Sequence, residues 1–362
     1  MTARTTPRKH VLKTYCKDFT ITEDHVAAAY EQWEKALAGK KNRHRIDEEH
    51  GDPETLIREI TLEIRDRRLT LRPIHYYWHH EPSNGKLRRI GVQSVKQQVV
   101  DYVAVLALEQ FLDARIGYYQ VASMPGKGQL FAAKAIRRWS QEGGYWVHLD
   151  ARQCYPTISH DLVQRIIDKH VRAADVRYVV AQLLRTYDQG LMIGSYFSLK
   201  MAQLVLSFAY HYVEGLSKRR RGKHVALVTH QAHFMDDMLL MGRDKRDLRT
   251  ATKNLEAYMK RELGLTLKPW KISRVGEDEP IDLAGYVIRP SRTTIRSSIF
   301  LSSRRALRDY ERNPTLENAY RACSYWGWVK NADTLRFQHA NKVPQTVTAA
   351  STQISQAHKA SQ

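Results

Sequence analysis

Two acidic segments constrain this chain most, because each places carboxylates where an apolar strand ends. Asp150 ends the run YWVHLD, and Asp236 and Asp237 lie in HFMDDMLL about 85 residues later. A charge at such a position is costly unless a cation neutralises it. Three carboxylates suit Mg²⁺ or Mn²⁺ rather than zinc. We therefore expect two such ions here, in an arrangement that can clamp both oxygens of a phosphoryl displacement.

Neighbouring side chains on a strand point to opposite faces, so only one acid of the pair can fully share a site with Asp150. We expect Asp236 to be the closer partner and Asp237 to support it. Each segment alone has an ordinary explanation, since an Asp-Asp pair is commonly a solvated turn and an Asp after a strand is often a helix cap. Their combination in a basic chain is what favours catalysis.

The charge balance points to a polyanionic partner. The 362 residues include 58 Lys and Arg against 38 Asp and Glu, a net charge of +20, and 43% are hydrophobic, enough to fill a core. Nucleic acid is the first candidate and an anionic membrane the second. No apolar run is long enough to span a bilayer, and no apolar stretch follows the basic N-terminus, so we expect a cytoplasmic protein without a membrane partner. Three widely spaced cysteines exclude a disulfide framework and a CxxC zinc site.

Apolar periodicity predicts helices and strands in mixed order, which indicates an α+β fold. Asn84-Gly85 marks the turn of a hairpin. We interpret KRRRGK (218–223) as a turn or solvated loop and 225–242 as two strands that meet at the Asp-Asp pair. The predicted helices include 53–69, 95–113, 129–140, SHDLVQRIIDKH (159–170), one that runs through about 215, 245–263 and the helical segment 300–340. The hairpin covers 74–92, and further short strands lie around 265–275 and 281–289.

LDARQCYPTI and FMDD resemble motifs A and C of reverse transcriptases, the second of which is usually written YxDD. Phe234 keeps the aromatic ring of that motif and loses the hydroxyl. Tyr155, five residues after Asp150, falls where the family places an aromatic steric gate. The resemblance implies that its ring excludes a 2′-hydroxyl and so favours deoxynucleotides. Without the resemblance, a core aromatic before Pro156 is the simpler interpretation.

Other blocks follow in the family's order. HEPSNGKLRRIGV (80–92) resembles the fingers segment, and SMPGKGQ (123–129) matches the position of a basic loop. QGLMIGS (189–195) resembles motif B, LTLKPWK (265–271) motif D, and LAGYVI (283–288) the primer grip. Taken singly, four of these blocks have ordinary interpretations. The cations of 80–92 could lie on a solvated strand edge, 123–129 could be a turn, 189–195 a glycine loop, and the lysine of 265–271 a surface residue.

The resemblance implies roles for residues in these blocks. Lys271 is expected to protonate the leaving pyrophosphate. Nucleotide binding is expected at Lys86, Arg88, Tyr155, Gln189 and Gly190. Nucleic-acid binding is expected at Arg89, Lys127, Arg304, Arg305, Trp326 and Trp328. For the two tryptophans, core packing between thumb helices is the alternative.

The implied fold is a right-hand polymerase of the α+β class, with fingers, thumb and an antiparallel palm sheet. The expected divisions are a helical basic extension at 1–72, fingers at 73–145, a palm at 146–290, a helical thumb at 291–340 and a disordered tail at 341–362. Within the palm range, residues at about 160–190 are expected to belong to the fingers.

Among reverse transcriptases, the chain looks most like the small bacterial enzymes of diversity-generating retroelements and of the "unknown group" linked to phage defence. Only about 70 residues follow motif E, so we expect no RNase H or integrase region, and the retron motifs NAxxH and VTG are absent. Diversity-generating enzymes usually carry SQ where this chain has Ser198-Leu199, which favours the defence type.

The resemblance thus implies an RNA-directed DNA polymerase that copies a structured non-coding RNA in antiphage defence. Its expected partners are that RNA, a DNA product or primer, deoxynucleoside triphosphates, and a second copy of the chain or an accessory protein. A diversity-generating enzyme and an inactive RNA-binding palm scaffold are the alternatives.

Overall fold

The computed structural model describes residues 13–37, 51–81 and 85–360. They form two compact units, each built from several stretches of chain. The first takes in the described residues up to 117 together with 152–209 and 258–266, and the second takes in 118–151, 210–257 and the described residues from 267 onward. Both units combine helices with antiparallel strands, which confirms the α+β class.

The first unit is mainly helical and carries one hairpin, of β1 (His75–His80) and β2 (Leu87–Val92). Ser94 begins the helix Val95–Ala107 with a capping box, and the buried Val95, Val99 and Val103 form its inner face. The unit's other helices are Glu23–Leu37, Pro53–Arg65, Glu109–Arg115, Cys154–Thr157, His160–His170, Ala174–Arg185, the start of Tyr196–Gly215, and the π-helix Met259–Leu263.

The second unit is organised around a four-stranded antiparallel sheet in the order β6-β7-β3-β8. These strands are β3 (Tyr145–Asp150), β6 (His230–Phe234), β7 (Asp237–Gly242) and β8 (Ile272–Arg274). A three-stranded sheet joins β9 (Ile281–Leu283), β10 (Tyr286–Ile288) and β11 (Thr293–Ile295), and a separate hairpin joins β4 (Ser217–Arg220) and β5 (Lys223–Ala226). The unit's helices include Gln129–Ser140, Lys245–Tyr258, Ser297–Arg312, Leu316–Val329, Leu335–Ala340 and Val343–Ala360.

The central sheet is buried on both faces. Leu239 and Met241 pack on one face into a core with Trp139. Val147 and Leu240, which point the other way, are fully buried as well. Because both faces of the sheet are covered by apolar side chains, β3 and β7 are largely apolar along their length. Acidic side chains are therefore accommodated at the strand ends.

Residues 343–360 are not disordered, which corrects the sequence prediction of a disordered tail at 341–362 for the part that the structure describes. Val343–Ala360 is a helix, and Val343, Val347 and Ala350 are buried in the core of the second unit. These three residues repeat at helical spacing, so the helix buries a narrow apolar stripe although its composition is polar and small.

Two other expectations differ in detail. KRRRGK belongs to the β4–β5 hairpin rather than to a loop, and the predicted helix 245–263 becomes a π-helix from Met259. Residues 1–12 and 38–50 of the expected basic extension, and residues 82–84 of the predicted hairpin, lie outside the described residues. None of the helices in the described ranges is long and apolar enough to cross a membrane.

Candidate functional site

Asp150 and Asp237 are direct partners in the antiparallel pairing of β3 with β7. Residues directly opposite each other lie on one face of a sheet, with Cβ atoms about 4.5–5.5 Å apart. In the backbone register it is therefore Asp237, and not Asp236, that lies directly opposite Asp150. Asp236 lies in the turn that joins β6 to β7, next to this pair.

The β6–β7 turn has a strained backbone. Phe234 pairs with Asp237, which leaves Met235 and Asp236 as the two turn residues. Met235 has a φ of +56°, a region that side chains other than glycine seldom occupy. Such strain is concentrated at functional sites, and Asp236 is the next residue of this turn.

Lys268 is the nearest cation to Asp150. Its Nζ donates to Oδ2 of Asp150, while Oδ1 is buried and has no hydrogen-bond partner in the described part of the chain. The backbone holds the lysine in place, because Leu267 bridges Ala151 and the Lys268 N–H donates to the Asp150 carbonyl at 2.9 Å. The sequence analysis missed this residue, since LTLKPWK alone does not say which lysine faces the acid.

His148 is the corresponding partner of Asp237. Its Nε2 lies 3.1 Å from Asp237 Oδ1, and about a third of each side chain is exposed. His148 precedes Asp150 by two residues on β3, so both side chains project from the same face of the sheet. The sequence analysis did not single out this histidine, although its alternation with Asp150 was visible in YWVHLD.

Among the described residues, no group of three or more His, Cys, Asp or Glu side chains is arranged to hold a metal ion. The donor chemistry nevertheless fits a hard divalent cation, because the candidate ligands are carboxylates. The buried Oδ1 of Asp150, for which residues 13–37, 51–81 and 85–360 supply no donor, is the atom whose coordination such a cation would complete.

Lys271 lies apart from this cluster of contacts. Its Nζ donates to Glu279 at 2.6 Å, and 76% of its side chain is exposed. Within the second unit, the structure thus brings Lys268 to Asp150 and pairs Lys271 with another acid.

In the first unit, the motif B segment packs against the backbone of Tyr155. The Leu191 N–H donates to the Tyr155 carbonyl at 2.8 Å, and His160 Nε2 lies 2.6 Å from the Gly190 carbonyl. Gly190 has a φ of +55°, and a Cβ there would lie 2.3 Å from the Pro156 carbonyl oxygen. Only glycine fits this close approach. The half-buried Tyr155 is thereby held at its backbone, and Gln189 is exposed.

A buried carboxylate, Asp101, supports the other end of this segment. Its Oδ2 accepts from Ser195 Oγ at 2.6 Å and from the Phe197 N–H at 3.2 Å, and its Oδ1 accepts from Gln93 at 3.0 Å. Burial raises the pKa of Asp101 to about 6, against these hydrogen bonds, which lower it. The sequence analysis read this position only as part of a helix, because a single acid among apolar residues carried no pattern.

The expected phosphate-binding cations lie on the β1–β2 hairpin. Arg88 pairs with Glu81 at 2.9 Å. Arg89 pairs with Asp188 and lies 3.9 Å above the ring of Tyr76, which secures the hairpin to the start of motif B. Lys86, directly before β2, is exposed.

Four residues that were expected to contact nucleic acid lie in different environments, and they are Lys127, Arg304, Arg305 and Trp328. Lys127 donates to the Tyr118 carbonyl at 2.7 Å and lies over that ring, and burial lowers its pKa. Arg304 and Arg305 are exposed on the helix Ser297–Arg312. The Trp328 ring packs against Tyr286 at 5.1 Å.

A Cβ on Gly285 would lie 2.6 Å from Trp328, so this ring takes the packing role that was the alternative. Trp326 is partly buried and lines a cavity of about 620 Å³ with the C-terminal helix.

Comparison with known proteins agrees with this arrangement. Residues 79–288, more than half of the chain, match the family model described as reverse transcriptase (RNA-dependent DNA polymerase). This range contains all three acids and the motif B segment. No curated protein matches the chain. An antiparallel hairpin that carries paired aspartates, within a sequence that matches this model over most of its central region, places the chain in the reverse transcriptase family, and it is an RNA-directed DNA polymerase.

Proposed function

We propose that this polymerase adds nucleotides at Asp150, Asp236 and Asp237, which would hold two Mg²⁺ ions, or Mn²⁺ in their place. The observation that carries the proposal is the direct pairing of Asp150 with Asp237, together with the unsatisfied Oδ1 of Asp150. When bound, the ions would supply charge stabilisation for the attacking 3′-hydroxyl and the leaving pyrophosphate.

Two neighbouring basic side chains, His148 and Lys268, orient and partly neutralise these carboxylates. His148 fixes the rotamer of Asp237 through one oxygen and leaves the other oxygen for a ligand. Lys268 neutralises Asp150 from Oδ2 and leaves Oδ1. Lys268 therefore joins Lys271 as a candidate donor of the proton that the leaving pyrophosphate takes up.

Nucleotide selection is proposed for the residues of the first unit. Tyr155 would exclude the 2′-hydroxyl, and its backbone bond to Leu191 supports this role by fixing the short helix Cys154–Thr157. Gln189 and Gly190 would contact the nucleotide, and Lys86 and Arg88 its phosphates. The pairing of Arg88 with Glu81 means that its guanidinium must exchange an acid for a phosphate.

The proposed template is a structured non-coding RNA, and the proposed setting is antiphage defence. The net charge of +20 and the exposed Arg304 and Arg305 support a nucleic-acid track. Ser198-Leu199 in motif B favours this setting over a diversity-generating retroelement, which remains the second candidate. The division into fingers, palm and thumb is part of the same proposal.

DNA synthesis on a primed RNA template with Mg²⁺ and deoxynucleotides tests the catalytic assignment. Asp150→Asn and Asp237→Asn should each lower the rate at least about 100-fold, as expected when a group that stabilises the transition state is removed. Asp278→Asn, an exposed acid of the same unit, is the matched control and should retain the rate. Equal rates in all variants would reject the assignment, and no synthesis by the wild type would favour the scaffold alternative.

Two further measurements separate the finer proposals. Tyr155→Ala should incorporate ribonucleotides more readily than the wild type, and unchanged discrimination would reject the steric gate. Sequencing the nucleic acid that copurifies with the protein identifies the template. One defined RNA would support a dedicated partner, whereas a variable repeat would support the diversity-generating alternative.

A further inference from the structure

The β4–β5 hairpin has an unusual density of positive charge. Its cations stand on both strands and in the turn, and they are Lys218, Arg219, Arg220, Arg221 and Lys223. Arg221 and Gly222 form the turn, with φ of +48° and +78°. Two successive positive values are those of a type I′ turn, whose twist matches that of the strands. The hairpin is therefore a defined ribbon, and we call Ser217–Ala226 the basic ribbon.

The cations of the basic ribbon face both sides. Arg219 is opposite His224, and Arg220 is opposite Lys223, so consecutive pairs project from opposite faces. Every residue of β5 is exposed, and in β4 only Lys218 is half-buried. Neither face packs against a core, which explains why the sequence shows no apolar alternation here.

Internal ion pairs do not account for this charge. Lys218 pairs with Asp247 at 2.6 Å near the base of the ribbon. Among the described residues, Arg219, Arg220, Arg221 and Lys223 have no acid within ion-pair distance. Like charges directly opposite each other destabilise a strand pair, and a lone two-stranded hairpin is only marginally stable. An anion that lies along both faces would relieve this repulsion.

We propose that the basic ribbon binds a base-paired segment of RNA through the phosphates of both strands. Four strand residues at about 3.4 Å each give a length of about 13 Å. Double-stranded RNA is recognised through phosphates and 2′-hydroxyls across its wide, shallow minor groove, and a ribbon that lies over this groove with cations on both faces can reach the backbones of both strands. The minor groove of B-form DNA is narrower, about 6 Å, and carries no 2′-hydroxyl. Recognition would follow shape and charge rather than sequence.

This inference goes beyond the catalytic proposal, because the ribbon needs no polymerase activity to bind. Binding of duplex RNA, measured without Mg²⁺ and nucleotides so that no synthesis occurs, should therefore still depend on the ribbon. A catalytically dead protein that still depends on the ribbon for binding would support the ribbon even if the catalytic assignment failed.

Binding of the full chain to an RNA duplex of about 20 base pairs, followed by fluorescence anisotropy over a range of salt concentrations, tests the proposal. The variant Arg219→Gln/Arg220→Gln/Lys223→Gln removes cations from both faces and keeps the turn. The control Lys245→Gln/Arg249→Gln/Lys253→Gln removes the same charge from exposed positions of the helix Lys245–Tyr258.

The ribbon variant should lose roughly 10- to 100-fold in affinity, and its slope of log K against log salt should fall by about 2 to 3, one for each lost phosphate contact. The control should change little. An equal loss in both variants would overturn the proposal, because net charge alone would then explain binding.

Competition distinguishes the ligands. Single-stranded RNA and a DNA duplex of the same sequence should compete less well for the wild type than the RNA duplex does, and the ribbon variant should lose this preference. A preference unchanged by the variant would overturn the assignment to paired RNA. Thermal unfolding confirms that the variant folds, and the milder change Arg219→Lys/Arg220→Lys should retain binding, since it keeps the charge.

Discussion

Lys268 Nζ donates a hydrogen bond to Oδ2 of Asp150, the carboxylate whose other oxygen is buried without a partner. The lysine comes from a segment more than 110 residues further along the chain and is held there by its own backbone bond to Asp150. One oxygen of the acid is thus neutralised from within the protein. A divalent ion that binds Asp150 must share the carboxylate with this ammonium or displace it.

Removing Lys268 should strengthen divalent-ion binding. Lys268→Ala leaves Asp150 without its internal counter-ion, so Mn²⁺ should bind several-fold more tightly and the metal-free protein should unfold more easily. The effect on stability should stay below about 1 kcal/mol, because 45% of the lysine side chain is exposed. Calorimetric titration with Mn²⁺ measures the first effect and thermal unfolding the second.

Lys271→Ala is the matched control for this change, since its partner is Glu279. It should leave Mn²⁺ affinity unaltered. Equal shifts in the two lysine variants would show that general charge, and not contact with Asp150, sets the affinity.

Gly190→Ala should destabilise the first unit more than an ordinary glycine substitution does. Its positive φ disfavours alanine by about 1–2 kcal/mol, and the new Cβ would also meet the Pro156 carbonyl. Gly264→Ala separates these effects, because Gly264 has a φ of +68° with nothing within 4 Å of its Cβ position. Urea unfolding should give a loss of about 1–2 kcal/mol at Gly264 and a clearly larger loss at Gly190. Equal losses would mean that the segment moves away from Pro156 without cost.

The acidic hairpin was predictable because apolar strands and their terminal acids are local features of the sequence. The register was not, since a shift by one residue decides whether Asp236 or Asp237 is opposite Asp150, and both acids fit the same pattern. Lys268 could not be identified because its role depends on the bridge between Leu267 and Ala151, which no local periodicity encodes.

The C-terminal helix was missed for a different reason, because its polar and small residues indicated disorder. Val347→Asp should destabilise the second unit by about 2 kcal/mol or more, because it places a charge where a valine is buried. Thr348→Asp adds the same charge at the adjacent exposed position and should change the free energy of unfolding by less than about 0.5 kcal/mol. If both variants unfolded like the wild type, the helix would not pack as described and the tail would be dispensable.

Asp101 should make the stability of the first unit depend on pH. Because burial raises its pKa to about 6, the folded protein binds the proton more tightly than the unfolded chain, whose value is 3.8. The stabilisation from the protonated acid is complete below about pH 4 and is lost as the pH rises through 6, a change of about 3 kcal/mol. Asp101→Asn keeps an acceptor for Ser195 and stays uncharged. The free energy of unfolding of this variant, relative to that of the wild type, should therefore rise between pH 4.5 and pH 7.5. Urea titrations at both values measure this gain, with the exposed Asp113→Asn as control. A difference between Asp101→Asn and the wild type that does not change with pH would show that Asp101 ionises in the folded protein as it does in the unfolded chain.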